Sequence, residues 1–461
     1  MKIRLYIILS LLVISATPQA ARLPFEIPPS GQPQELIGNM DMMGPTALAF
    51  DSRNRPYLFD ARWPKHFGYI LTLREGKWVK LSYESALREL FPSLRPPSRP
   101  FLHARGTIVF DDQDGLYFII TVPKSGGGRS KRFQSVLIYS PDLGESFQAY
   151  RLPRGRTSLE LRVGHNRLTA PPAISVSVPR QRVSYIKWGR RSRFSVILPR
   201  KEGNRLQIPA PVTVSDNALA AGTGHSGGTS FAVTTGRYTH VVYTEVPNSA
   251  RGGNPTYAAT IDRDTGRVVS RTFLVTADPE KPDNHSRPVI TVDSSLYLHV
   301  IAGSHNGDFH YLRSLKPDAT DAGWTSPEVL RGERRTYQGL VCDLDDRLHL
   351  VYRAHPSLRY QRRSADDQGW SPSLELVRAP RGHRGYTVFY HRLAIDRIGT
   401  LYLAFTFFDR KLRERGDFPQ ALITSTDGGR TWQLARTRDV AARVVQPVAV
   451  TEDDRTFSLG E

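Results

Sequence analysis

The chain has 461 residues, with 63 Lys and Arg against 44 Asp and Glu, a formal net charge of +19 and a single cysteine, Cys342. One thiol excludes a disulfide within the chain and a cysteine-rich structural metal site, so burial and hydrogen bonding must hold the fold. The charge implies attraction to polyanions.

In chain order, Lys2 and Arg4 precede the apolar run LYIILSLLVISA, which is short for a membrane span and gives way to small and polar residues up to Ala20-Ala21. This pattern reads as a secretory signal peptide over residues 1–21, with cuts after Ala16, Ala20 or Ala21 as the options. The expected location is secreted or periplasmic, with no membrane attachment after cleavage. In that compartment acidic polysaccharide is a better match to the charge than nucleic acid.

A phrase then recurs: a polar residue, a β-rich run, a short turn and a second β-rich run. PTALAFDSRNRPYLFDA begins at Pro45, GTIVFDDQDGLYFIIT at Gly106, PAISVSVPRQRVSYIKW at Pro172 and HSGGTSFAVTTGRYTHVVYTE at His225. The clearest copies are HSRPVITVDSSLYLHVIAGSH from His285 and YQGLVCDLDDRLHLVYRAH from Tyr337, and HRLAIDRIGTLYLAFTF from His391 is the last. Turns fall near Asp51, Asp111, Pro179, Thr235, Asp293, Asp343 and Asp396. Only SYESALREL, from Ser82, reads as helix. A unit with two exposed edges and an uncovered apolar face is unstable alone, whereas seven around an axis bury one another's faces. The expected fold is therefore all-β, a seven-bladed β-propeller of four-stranded antiparallel blades, forming one domain over residues 22–461. A β-solenoid is disfavoured because its coils are shorter and more regular.

SPDLGESF from Ser140 and STDGGRTW from Ser425 share the pattern Ser-x-Asp-x-Gly-x-(Ser/Thr)-aromatic. The aspartates Asp142 and Asp427 are suited to accept N–H bonds across a turn, and Phe147 and Trp432 to plug between strands. Degenerate versions end at Gly323-Trp324 and Gly369-Trp370. These boxes are expected to be scaffold rather than chemistry.

In a propeller the start of each innermost strand lies on the same face as the end of the next strand. His225, His285, Tyr337 and His391 hold the first position of four consecutive copies, and His305, Arg353 and His355 follow second strands, so all are expected around one mouth of the central channel. His240, His299 and His349 instead recur inside second strands and are expected to be satisfied structural histidines.

DNHSRPVITVDSSLYLHVIAGSHNGDFHYLRS and TYQGLVCDLDDRLHLVYR resemble the bacterial neuraminidase repeat family, which includes ulvan lyases and enzymes acting at rhamnose–glucuronate linkages. The resemblance is good from about Gly224 to Trp370 and weaker elsewhere. It implies a polysaccharide lyase that cleaves a uronate-containing, sulfated polysaccharide by β-elimination, with His285, His305, Tyr337 and Arg353 catalytic. His225, His355 and His391 are expected to contact substrate, no cofactor or catalytic metal is expected while a structural calcium or other metal stays open, and the molecule is expected to be a monomer. Arg353 would clamp the uronate carboxylate, while His285 or Tyr337 serves as base and the other as acid, with His305 orienting the sugar or sharing the acid role. A sialidase is disfavoured because it would need an Arg-Ile-Pro motif near the first blade with an arginine triad, and the Arg-Leu-Pro at Arg151 follows the Asp-box at Ser140 instead. A rhamnosidase-like exo-glycosidase on the same scaffold and a non-catalytic propeller that binds acidic glycans are the alternatives.

Overall fold

The structure is a computed structural model that describes residues 48–59, 69–75, 77–92, 108–123, 133–161, 170–186, 189–219, 230–277, 282–303, 305–364, 366, 369–378, 388–407, 420–434, 448–450 and 457–459. The segment read as a signal peptide and His225 lie outside the described residues. The only described helix is Glu84–Leu90, where SYESALREL predicts one.

Antiparallel strands follow in the expected order. Blade 1 comprises Leu48–Phe50, Pro56–Phe59, Tyr69–Arg74 and Lys77–Ser82, and blade 2 comprises Ile108–Phe110, Leu116–Pro123, Phe133–Ser140 and Gln148–Arg151. Blade 3 is built of Arg156–Leu159, Ile174–Arg182, Arg190–Ile197 and Val212–Leu219, with a small added hairpin of Arg200–Glu202 and Arg205–Gln207. Blade 4 runs through Ala232–Thr235, Tyr238–Thr244, Asn254–Asp262 and Arg267–Ala277. Blades 5 and 6 share a strand. Val289–Val292, Leu298–Ala302 and His305–Arg313 lead to Glu328–Cys342, whose first part is the outer strand of blade 5 and whose second part is the inner strand of blade 6. Leu348–Ala354, Ser357–Arg363 and Leu374–Arg378 complete blade 6; Val388–Ile395, Leu401–Phe407, Gln420–Ser425 and Gln433–Leu434 make blade 7. A last pair, Val448–Val450 with Phe457–Leu459, stands outside the blades. The all-β, seven-bladed propeller is thus the fold.

Inner and second strands read as unbroken apolar runs because both of their faces meet a neighbouring blade. Every residue of Leu348–Ala354 is buried, for instance. The interfaces are apolar: Phe50, Leu58 and Leu71 of blade 1 pack with Ala394, Tyr402, Ala404 and Leu422 of blade 7, which closes the ring.

The recurring Asp turn has a physical reason. One oxygen of Asp51, Asp111, Asp293, Asp343 and Asp396 accepts the backbone N–H four residues on, at 2.8 Å in each. The other oxygen faces a Tyr or His six residues on: Tyr57, Tyr117, His299, His349 or Tyr402. The fourth turn residue has a positive φ in each, at Asn54, Asp114, Leu296, Asp346 and Gly399. Where it is polar, it also clasps the adjoining blade: Asp114 accepts from Ser52 N–H at 2.9 Å, Asp346 from Ser294 N–H at 2.7 Å and Asn54 from Arg397 N–H at 2.8 Å. The last of these bonds joins blade 7 to blade 1.

His240, His299 and His349 are buried members of this scaffold. His299 and His349 each bridge an Asp to a Tyr hydroxyl, Tyr311 at 2.8 Å and Tyr360 at 2.7 Å, while His240 bridges Asp318 and Thr260. The Asp-boxes are turns, with Asp142 accepting from Ser146 N–H at 2.8 Å and Asp427 from Thr431 N–H at 2.9 Å.

One repeat differs from its sequence reading. In blade 3 the chain runs straight past Pro179, absorbing it as a bulge between Pro179 and Gln181, and turns instead at residues 184–186. The segment from Pro172 therefore supplies the second strand, and the inner strand is the short Arg156–Leu159. A proline on an extended strand beside a bulge loses no ladder bond, so it need not mark a turn.

Candidate active site

The mouth of blades 5 and 6 is organised by a carboxylate. Asp283 opens a tight turn ahead of the blade 5 inner strand: its Oδ1 accepts from the backbone N–H of His285 at 2.8 Å, and Arg287 N–H donates to the His285 carbonyl at 2.9 Å. The Asn254 amide of blade 4 donates to the Asp283 carbonyl at 2.7 Å and ties the turn to its neighbour. Asp283 then engages both imidazoles through Nδ1, His285 on Oδ1 at 2.6 Å and His305 on Oδ2 at 3.0 Å. Burial pushes the Asp283 carboxyl up, but the bonds from His285 and His305 outweigh it and hold the group well below the usual carboxylate range. Asp283 is thus an anion throughout the neutral range. In the neutral rings the Nδ1 proton is directed to it, so Nε2 carries the lone pair of each imidazole.

His305 starts the third strand of blade 5 and pairs with Thr336, which pairs in turn with Arg353 of blade 6. The ladder slips between Thr336 and Gly339, and this bulge turns Tyr337 into the site at a φ of 56°. A left-handed conformation is uncommon for an aromatic residue and is found where surrounding structure enforces it. The Tyr337 ring centroid lies 6.0 Å from that of His285 and 5.9 Å from that of His305, and the two imidazoles are 4.7 Å apart. The Arg353 guanidinium carbon stands 4.7 Å from the Tyr337 ring. Gly303 passes so close to the Arg287 carbonyl and the Gln338 amide, which are bonded to each other, that a Cβ there would overlap both.

His285, His305, Tyr337 and Arg353, predicted as the catalytic set, therefore share one cluster. His391 lies in the same neighbourhood in another capacity. It was expected as a substrate contact; it is instead fully buried, and its Nε2–H donates to the Tyr337 carbonyl at 2.7 Å. The reason is local: the blade 7 inner strand starts at Val388, so His391 sits inside the strand beside a register shift and not at its mouth end. Burial, with the nearby Arg353 and Arg392 charges, pushes its imidazole down to about 3, so the ring is a neutral donor. His355 occupies the exposed turn between the second and third strands of blade 6, on the same face.

Sequence reasoning missed Asp283, whose signal is its place two residues before His285. Asp283, His285 and His305 also offer ligand atoms within 4.8 Å of one another, a donor set that would suit a divalent cation.

Residues 254–459 match the model of BNR repeat-containing family members. Among solved structures, a PL25 ulvan lyase bound to -[GlcA(1-4)Rha3S]- is similar over 88% of this chain and 98% of its own, at 12% identity and a TM-score of 0.45. The polysaccharide lyase Uly1 is similar at 14% identity and a TM-score of 0.36, over 45% of this chain; the chain spans about half of that lyase, 54% of its length. The α-L-arabinanase of Penicillium chrysogenum complexed with arabinobiose gives 15% identity and a TM-score of 0.38 over 65% of this chain and 87% of its own. No curated protein sequence matches the chain.

Proposed function

We propose that this protein is a polysaccharide lyase that cleaves uronate-containing polysaccharide by β-elimination. One observation carries the reading: two imidazoles held on a single half-buried carboxylate face a tyrosine in a left-handed bulge, with an arginine against its ring. Among the described residues of the cluster Asp283 is the one carboxylate, and both its oxygens are engaged. This does not resemble the two opposed carboxylates on which most glycoside hydrolysis depends.

In the proposed reaction Arg353 offsets the charge of the uronate carboxylate, which makes the C5 proton removable. One member of the His285–Tyr337 pair takes that proton and the other protonates the departing O4 oxygen, so the C4–O bond breaks as the C4=C5 double bond forms. Asp283 fixes the tautomer and angle of both imidazoles, and His391 fixes the backbone that aims Tyr337. Residues 1–21 would deliver the enzyme outside the cytoplasm, where such polymers are found.

The test is to incubate purified protein with a panel of uronate polysaccharides and follow the ultraviolet band of the 4,5-unsaturated uronate. Tyr337→Phe and His285→Ala should each lower the rate by about 10²–10⁴-fold while the protein stays folded. New reducing ends without that band would identify a hydrolase instead, and binding without either product would identify a glycan-binding propeller.

A further inference from the structure

Among the described residues, the turns between second and third strands lie on the mouth face, and that of blade 3 is the most basic of them. Its strands Ile174–Arg182 and Arg190–Ile197 lead into a tip that includes residues 183–186 and 189. Arg180, Arg182, Arg190, Arg191 and Arg193 on them are all exposed. Asp216 pairs with Arg180 at 3.1 Å and Arg193 at 2.8 Å. Among the described residues no carboxylate pairs with Arg182, Arg190 or Arg191. Arg182 and Arg190 are moreover direct cross-strand partners, a like-charge placement that costs stability in a sheet.

The tip that carries them is braced. Val183 and Ile186 are buried with Leu219 and Val246 in a small core between blades 3 and 4. Val183 N–H donates to the Gly189 carbonyl at 3.1 Å, and the Tyr185 hydroxyl donates to the Pro247 carbonyl of blade 4 at 2.5 Å. Guanidiniums held on a fixed hairpin lose less freedom on binding than those on a mobile loop. Their planar forks also suit sulfate and carboxylate oxygens.

We propose that Arg182, Arg190 and Arg191 form a second anion-binding site on the mouth face, which holds an acidic polysaccharide chain away from the His285–Tyr337 cluster. Blade 4 stands between the hairpin of blade 3 and the cluster of blades 5 and 6, so a chain lying across the mouth meets both. The ligand class rests on the proposed function, whereas the binding itself does not depend on turnover. The shared chemistry is a polymer with repeated anionic groups, and the source of charge, sulfate or carboxylate, is for experiment to distinguish.

The test compares Arg182→Ser/Arg190→Ser/Arg191→Ser with a control that removes the same charge from turns of the opposite face, Arg53→Ser/Arg205→Ser/Arg267→Ser. Dissociation constants are measured for heparin, for polygalacturonate and for a duplex DNA oligonucleotide at low and high salt, with melting temperatures alongside. The hairpin variant should bind heparin, polygalacturonate or both about ten-fold more weakly at low salt, with the difference shrinking as salt rises; the control should change by under about two-fold. Loss for heparin alone assigns the site to sulfate and loss for polygalacturonate alone to carboxylate. Its turnover number on short uronate oligosaccharides should stay at the wild-type value. Unchanged polysaccharide binding, equal loss in the control, or loss confined to DNA would overturn the proposal. If the wild type releases no unsaturated uronate from any substrate yet the hairpin variant loses polysaccharide binding, the lyase reading fails and the anion site stands.

Discussion

Replacing Asp283 by asparagine leaves the shape of the site intact and takes away its charge and one of its two acceptors. Asp283 accepts from His285 N–H, His285 Nδ1–H and His305 Nδ1–H at 2.8, 2.6 and 3.0 Å. An amide offers one oxygen, so the imidazole facing its NH₂ must present a lone pair at Nδ1 and move its proton to Nε2, the nitrogen meant to act on substrate. A wrong tautomer of this kind lowers turnover by about 10²–10⁴-fold, equivalent to roughly 3–5 kcal/mol of transition-state stabilisation. Initial rates of unsaturated-uronate formation, with the melting temperature of each variant, provide the assay. The same carboxylate makes a claim on stability. Its folded value is depressed from 3.8, so the stability it contributes is complete above about pH 4 and is lost as acid titrates it below that point. Wild type should therefore outlast Asp283→Asn at neutral pH by a margin that narrows at lower pH. Turnover of Asp283→Asn within about three-fold of wild type would refute the reasoning, since the histidines would then need no anchor.

Four further outcomes follow from the structure. His391 has its folded value pushed from 6.5 down to about 3, so the unfolded chain takes up a proton first and stability falls as pH drops through that window; His391→Gln, which keeps a donor for the Tyr337 carbonyl, should flatten that decline in melting temperature. Gly303→Ala should cost about 1–3 kcal/mol in denaturant unfolding, because its Cβ has to displace the Arg287 carbonyl or the Gln338 amide. His349→Phe should cost about 2–4 kcal/mol by stripping partners from Asp343 and Tyr360, with the turnover number of the folded fraction unchanged. Excess Zn²⁺ should inhibit turnover by taking up Asp283, His285 and His305, and EDTA should restore it; an uninhibited enzyme would show that the hydrogen bonds win over the metal.

Much of this architecture is legible from residues. The Asp turns can be read because the residues that make them are local: Asp, an N–H four residues on and an aromatic or imidazole six residues on all lie within one copy. The pairing of His285 with His305, and of Tyr337 with Arg353, follows from strand direction alone. What was not legible depends on contacts between copies. His391 looked like the first residue of its repeat, yet the strand begins at Val388 and draws it inward to Tyr337. The turn assigned to Pro179 belongs at 184–186, since a bulge accommodates the proline. Asp283 stood in plain view two residues before His285, but its bond to His305 spans 22 residues and appears only once the blade is folded.

The strand Glu328–Cys342 puts His305, Thr336 and Arg353 in a single row of one continuous sheet. Adjacent strands in such a row are about 4.8 Å apart, so the spacing of His305 from Arg353 is set by backbone hydrogen bonds. Opening and closing of blade 5 against blade 6 would break that row, so these groups travel as one body. Admission and release of a polymer then fall to the loops at the rim, and variation in those loops can change which chain is accepted without disturbing the groups that act on it.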